Sequence, residues 1–142
     1  MDTVSLLREG CARERTQARF YRGLSGQAES AGDASAAERL NALLADEQHH
    51  VSRLTARLLE LGETPSSGDG HAPACGLDEW EEVARAREED EISWYESALE
   101  SVDDLHTASV LREILDSERN HQQTLAGKWM SAAVTPPEES GE

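Results

Sequence analysis

An arrangement of acidic residues and histidines occurs twice along this chain. Each half carries a single glutamate, followed six and seven residues later by an aromatic-tyrosine dipeptide, and further on a Glu-x-x-His element. The residues of the repeat are Glu14, Glu47 and His50 in the first half and Glu88, Glu118 and His121 in the second. This recurrence indicates an internal duplication, and the length of 142 residues suits one compact domain.

Helix-forming residues fill nearly the whole chain. Ala, Leu, Glu and Arg dominate and aromatic residues make up 4%, which favours an all-α fold. Clusters of helix-breaking residues divide the chain into helices at about residues 3–24, 35–61, 78–100 and 104–133. A capping box from Ser35 to Glu38 predicts the start of the second helix, and Asp78 the start of the third. Residues 1–133 are predicted to form the domain, and residues 134–142 a disordered acidic tail.

The lengths of the connections predict how the four helices pack. Short connections after the first and third helices favour two antiparallel hairpins. The middle connection, residues 62–76, could reach about 50 Å at roughly 3.3 Å per residue, which is enough to travel the length of the bundle. We therefore expect a four-helix bundle of two antiparallel hairpins joined by one long crossover, which is the ferritin-like topology.

Both Glu-x-x-His elements interrupt an apolar stripe. Residues at positions i and i+3 share a helix face, so the glutamate and the histidine of each element point the same way. Apolar residues at helical spacing continue these faces: Leu40, Leu43, Leu44, Leu54, Leu58 and Leu61 in the second helix, and Leu111, Ile114, Leu115, Leu125 and Trp129 in the fourth. The four glutamates and two histidines are therefore predicted to face the core near the middle of their helices.

Carboxylates that face one another in a core need a neutralising charge. They repel and lose hydration, which costs several kcal/mol per ion. The sequence pattern places no arginine or lysine in the interior. Two divalent ions would balance the four carboxylates, and a mixture of carboxylate and imidazole ligands suits iron or manganese. The pattern thus predicts a site for two metal ions.

These features resemble the ferritin-like di-iron carboxylate proteins, and most closely the rubrerythrin branch. The resemblance covers about residues 6–130 and rests on the paired Glu-x-x-His elements, the single glutamates with their tyrosines, and the long middle connection. It implies two iron ions per site, with manganese as the alternative. It also implies roles for the ligands: Glu47 and Glu118 would bridge the ions, Glu14 and Glu88 would be terminal carboxylates, and His50 and His121 would be nitrogen ligands.

Three more residues gain a role from the resemblance. Glu91 stands where rubrerythrins have an additional carboxylate that exchanges with a histidine as iron changes oxidation state, and the matching residue in the first half is Gln17. Tyr21 and Tyr95 are candidates for hydrogen bonds to the ligands. The alternatives are a charged helix face around Glu91 and ordinary core positions for the tyrosines.

Composition argues against several classes of partner and cofactor. The chain has 13 basic and 29 acidic residues, and the net charge of −16 repels nucleic acid and anionic membranes. No apolar run is long enough to span a bilayer and no secretory signal is evident, so a cytoplasmic location is expected. Cys11 and Cys75 form no C-x-x-C pair, so no rubredoxin centre is expected in this chain. No haem is expected either. Cys11 lies either near the metals or in the core.

By resemblance, the protein is an oxidoreductase that reacts with hydrogen peroxide or dioxygen, as a rubrerythrin-like peroxidase or a ferroxidase, in iron or oxidative-stress handling. Because this chain has no rubredoxin module, electrons would come from a separate donor. One alternative is a non-catalytic metal-binding bundle for iron sequestration or protein interaction, and another is a metal-free scaffold. The modest apolar core also predicts a homodimer that pairs through an apolar helix face.

Overall fold

The computed structural model describes residues 1–65, 71 and 74–134, with side chains as far as residue 125. Its four helices are α1 (Thr3–Ala31), α2 (Ala34–Glu60), α3 (Trp80–Ser101) and α4 (Leu105–Val134). The described residues contain no strand, so the predicted all-α four-helix bundle is confirmed. None of the helices in these ranges is both long and apolar enough to cross a bilayer. Residue 134, the first of the predicted tail, ends α4, whereas residues 135–142 and the predicted core position of Trp129 lie outside this description.

Helix α1 continues well beyond its predicted end near Leu24. Gly23 and Gly26 lie inside the helix on its exposed side, while Leu24 and Ala28 extend the buried stripe against α2. Packing of an apolar stripe outweighs the weak helix propensity of an exposed glycine, which is about 1 kcal/mol. The helix ends at Gly32, whose φ of 71° lies in the left-handed region that favours glycine.

The starts of α2 and α3 also differ from the predicted ones. Because α1 runs up to the turn, Asp33 is the first residue outside α2, and its side chain accepts a hydrogen bond from the Ala36 amide at 3.1 Å. Asp33 therefore caps α2, and the capping box predicted at Ser35 is wrong. Helix α3 begins at Trp80 rather than at Asp78.

Contacts between helices establish the predicted topology. Arg57, near the end of α2, donates to Thr107 near the start of α4, whereas Asp46 in the middle of α2 lies beside His121, further along α4. Helices α2 and α4 are therefore antiparallel. Because the helices of each hairpin are also antiparallel, α3 runs parallel to α2, which requires a connection that returns along the bundle.

Two apolar clusters fill the core, one on each side of a polar layer at mid-bundle. The first includes Leu7, Leu54 and Leu111, and the second includes Leu24 and Leu40. Cys11 belongs to the first cluster and is fully buried, as the core alternative predicts. Leu61 is the exception among the predicted core residues, because it caps the end of α2 and is 38% exposed. The clusters shield the polar layer from water at both ends.

Candidate metal centre

The six predicted ligands come together in the polar layer. All four glutamate side chains are 0% exposed, and the two histidines are almost fully buried. Each helix supplies one of the four glutamates, and α2 and α4 also supply a histidine one turn further along. The ligands are Glu14 on α1, Glu47 and His50 on α2, Glu88 on α3, and Glu118 and His121 on α4.

Their donor atoms form two overlapping groups of four. Within each group all the donor atoms lie within 4.8 Å of one another. The first group is Glu14, Glu47, His50 and Glu118, and the second is Glu47, Glu88, Glu118 and His121. Two glutamates, Glu47 from α2 and Glu118 from α4, occur in both groups.

Both imidazole rings direct the Nδ1 atom toward the carboxylates. In the first group, Nδ1 of His50 lies 3.2 Å from an oxygen of Glu14, 3.2 Å from one of Glu47 and 3.3 Å from one of Glu118. In the second, Nδ1 of His121 lies 3.0 Å from Glu118 and 3.5 Å from Glu47. Small outward shifts from these separations would admit an ion among the donors.

Three carboxylate oxygens in this layer are buried without a hydrogen-bond partner among the described residues. They are Oε2 of Glu47, Oε1 of Glu88 and Oε2 of Glu118. A buried acceptor without a partner costs about 1–3 kcal/mol, and more when it is charged. Hard oxygen donors together with imidazole nitrogen suit divalent iron or manganese. The residues present therefore fit a pair of such ions.

Two tyrosines donate hydrogen bonds to Glu14 and Glu88 across the bundle. The Tyr95 hydroxyl donates to Oε2 of Glu14 at 2.5 Å, and the Tyr21 hydroxyl donates to Oε2 of Glu88 at 2.7 Å. Each tyrosine thus binds the glutamate of the opposite half, not the one that precedes it on its own helix. Such contacts orient ligating carboxylates.

Comparison with known proteins agrees with this geometry. The sequence model of the Rubrerythrin family matches residues 5–128. The chain belongs to the Rubrerythrin family. The family predicted from the motifs is thereby confirmed. No curated protein matches the chain.

Two bacterioferritins share the fold of this rubrerythrin-family chain. Bacterioferritin of Mycobacterium tuberculosis has a TM-score of 0.81 and 24% identity, with 92% of this chain and 87% of that chain covered. Bacterioferritin of Desulfovibrio desulfuricans has a TM-score of 0.78 and 19% identity, with 93% and 80% covered, and was solved with its diiron site in different catalytic states. At these identities the likeness establishes the four-helix fold.

The carboxyl groups of the centre have pKa values that are shifted in opposite directions. Burial, together with the charge of Glu14, raises the pKa of Glu47 to about 8, and burial with the charge of Glu47 raises the pKa of Glu118. Burial also opposes ionisation of Glu14, but hydrogen bonds from His50, Glu47 and Tyr95 and the charge of His50 together outweigh it and lower the pKa of Glu14 to about 2. Burial lowers the pKa of His50, yet its carboxylate partners raise that pKa to about 12. In the metal-free rubrerythrin-family centre, protons therefore balance the buried charge.

Sequence reasoning missed Asp46, which precedes the first Glu-x-x-His element. Its Oδ2 lies 2.9 Å from Nε2 of His121, and its side chain is 55% exposed. A carboxylate on the outer nitrogen of a histidine ligand fixes the ring with its other nitrogen toward the metal. The signal was weak because the matching residue before Glu118 is Ser117, so the duplication does not repeat this contact.

The structure does not bring Glu91 into either group of donor atoms. Its carboxylate is 7% exposed and accepts a hydrogen bond from Nε of Arg13 at 3.3 Å. Burial raises the pKa of Glu91 to about 7, although the charge of Arg13 acts to lower it. Arg13 is half-buried, with 25% of its side chain exposed, so it lies at the edge of the centre. The expectation that no arginine lies in the interior is wrong for Arg57, which is 9% exposed at the end of the bundle.

The remaining polar residues of the prediction lie at the edge of the centre. Gln17, the counterpart of Glu91, donates to Oε2 of Glu88 at 3.3 Å. Cys11 is in contact with Thr55 and is not part of either donor group. The three remaining histidines of the chain are all exposed: His49, His71 and His106. Within the described part of the chain, the metal-binding candidates are therefore confined to the six buried residues.

Proposed function

We propose that this rubrerythrin-family protein is a di-iron oxidoreductase of the ferroxidase type. It binds two ferrous ions between the four helices and passes their electrons to dioxygen or hydrogen peroxide. One observation carries the proposal: one oxygen each of Glu47, Glu88 and Glu118 is buried without a hydrogen-bond partner among the described residues, inside two donor groups that share two of these glutamates. Buried carboxylates that converge in this way, with oxygens that accept no hydrogen bond, call for cations.

When bound, a pair of ferrous ions supplies two electrons, which together with two protons reduce dioxygen to hydrogen peroxide or hydrogen peroxide to two waters. The carboxylates of Glu47 and Glu118, which belong to both donor groups, would hold the two ions beside each other. Hydrogen bonds from Tyr21 and Tyr95 fix the terminal carboxylates. The apolar clusters on either side exclude water and strengthen these interactions.

The position of Glu91 supports the ferroxidase form over a rubrerythrin-like peroxidase. The peroxidase reading relies on Glu91 as an additional metal ligand that changes partner with the oxidation state of iron. Glu91 is instead ion-paired with Arg13 and stands outside both donor groups. Without Glu91, four carboxylates and two histidines remain to hold ferrous iron, which we propose is the substrate that is oxidised.

The proposal also includes how iron, the oxidant and electrons reach the centre, and where in the cell the protein acts. A net charge of −16 attracts ferrous ions toward the chain and raises their local concentration. A small oxidant reaches the centre by diffusion, and a separate donor supplies electrons if the ferric ions are reduced in place. We place this activity in the cytoplasm, in the handling of iron and oxidants.

The test is an anaerobic titration with ferrous iron followed by addition of air or hydrogen peroxide. We expect two ferrous ions to bind per chain and ferric absorption to develop with the same stoichiometry once the oxidant is added. Stoichiometric binding without oxidation would support the non-catalytic metal-binding bundle instead. Failure to bind iron at all would support a scaffold without metal.

A matched pair of substitutions controls this experiment. Glu47→Ala removes a carboxylate shared by both donor groups and should abolish binding of two ions. Glu113→Ala removes a glutamate of α4 that is paired with Arg53 on the surface and should bind iron normally. Equal loss in both variants would show that binding reflects general acidity and would contradict the proposed site.

A further inference from the structure

Two arginines beside the candidate metal centre make equivalent contacts between α1 and α3. Each directly precedes the ligand glutamate of its own helix, and each reaches the opposite helix. Arg13 of α1 donates through Nε to Glu91 of α3 at 3.3 Å, and Arg87 of α3 donates through Nε to Gln17 of α1 at 2.7 Å. Glu91 and Gln17 both stand three residues after a ligand glutamate, so the two contacts are related by the internal duplication.

Both guanidinium groups are held in place by further contacts. The guanidinium carbon of Arg13 lies 5.3 Å from the ring centroid of Trp94, and that of Arg87 lies 4.6 Å from the centroid of Phe20. Stacking of arginine on an aromatic face is favourable. Arg13 also donates to Asp90 at 2.9 Å. Arg13 therefore contacts an aromatic ring and two carboxylates, and these contacts hold its guanidinium group beside Glu91.

We propose that Arg13 determines the ligand set of the centre, because it retains Glu91 in an ion pair and keeps this seventh carboxylate from the metal ions. The proposal rests on the di-iron function proposed above. Glu91 lies one turn after Glu88 on the same helix face and is 7% exposed. A buried carboxylate one helical turn from a ligand glutamate would join bound cations unless another cation held it.

The pair of Arg87 and Gln17 provides an internal comparison for the pair of Arg13 and Glu91. Arg87 makes the same kind of contact as Arg13, but its partner Gln17 is a neutral amide. An amide is a much weaker ligand for divalent iron than a carboxylate. Loss of Arg87 therefore frees no competing ligand, whereas loss of Arg13 frees Glu91.

The experiment uses cobalt(II), added anaerobically to the metal-free full-length protein. Arg13→Met keeps an unbranched side chain over Trp94 and removes the charge. We expect this variant to bind two cobalt ions about tenfold more tightly than the wild type. X-ray absorption should show one additional oxygen ligand. The double variant Arg13→Met with Glu91→Gln should return to the wild-type affinity, and Arg87→Met should gain no oxygen ligand.

A second variant tests the proposal without disturbing the arginine. Glu91→Gln alone should bind two cobalt ions with wild-type affinity and ligand number. Weaker binding or a lost oxygen ligand in Glu91→Gln would overturn the proposal, since Glu91 would then already be a ligand. Unchanged affinity and ligand number in a folded Arg13→Met would overturn it as well. A wild-type protein that takes up no cobalt would instead overturn the di-iron function, and this proposal with it.

Discussion

At the scale of single residues, the two tyrosines provide a direct probe of the centre. Tyr95→Phe removes the hydroxyl that donates to Glu14 and leaves that buried oxygen without its partner. Loss of a contact that orients a ligand lowers metal affinity by about 10- to 100-fold. Calorimetric titration with cobalt(II) measures this loss. Tyr21→Phe should lower the affinity comparably through Glu88, and wild-type affinity in both variants would show that the hydroxyls do not orient the carboxylates.

The protons of the metal-free centre predict how metal binding depends on pH. The raised pKa of Glu47, about 8, means that a proton occupies this carboxyl group at neutral pH, and burial raises the pKa of Glu118 as well. A metal ion must displace such protons, so affinity should increase as the pH rises. We expect an increase of up to about tenfold per pH unit between roughly pH 6 and pH 8 for each proton released. Titrations in buffers of different ionisation enthalpy count the protons, and an affinity that does not change with pH would contradict the account.

The six ligand candidates could be predicted from sequence, whereas the partners of several neighbouring residues could not. The i, i+3 spacing and the apolar stripe are properties of one helix, and they are sufficient to direct Glu47 and His50 inward. The contacts of Asp46 and Arg13, and the crossed hydrogen bonds of the tyrosines, depend on which helices are neighbours. That information requires the assembled bundle.

At the scale of helices, tertiary packing determined where α1 ends. Glycines suggested an end near Leu24, but Gly23 and Gly26 lie on an exposed face where only their weak propensity acts. The sequence does not distinguish such a glycine from Gly32, which ends the helix because its φ is 71°. The difference depends on backbone conformation and on the stripe that Ala28 continues.

Alanine substitutions at two of these glycines should have opposite effects. Gly26→Ala adds a methyl group in open space within a helix and should raise the free energy of unfolding by about 0.5–1 kcal/mol. Gly32→Ala forces an alanine into the left-handed region and should lower it by about 1–2 kcal/mol. Thermal and urea denaturation of the metal-free protein measure both changes. A stabilised Gly32→Ala variant would contradict the helix end described above.

At the scale of the whole molecule, duplication and the middle connection made the topology predictable. Two hairpins that each bring one glutamate and one Glu-x-x-His element can close a shared centre only when the second hairpin lies against the first. The contacts from α2 to α4 agree with that arrangement. The net charge of −16 acts at this scale too, because it favours cations over anionic partners.

We predict that two copies of the chain associate as a homodimer. Leu59 is 58% exposed and Leu105 is 84% exposed, and both lie at the end of the bundle where α2 ends and α4 begins. Exposed leucines of this kind favour burial against a second copy. Sedimentation equilibrium should therefore give twice the chain mass of 15.6 kDa. A single species at 15.6 kDa over the whole concentration range would contradict pairing.

Anomalous diffraction at the iron absorption edge tests the central claim most directly. Crystals grown and soaked with ferrous iron under argon should show two peaks in each chain, separated by roughly 3.5–4 Å. The carboxylates of Glu47 and Glu118 should lie between the two peaks, with His50 and His121 on either side. A centre without anomalous density after soaking, or with its four glutamates turned toward solvent, would contradict the account.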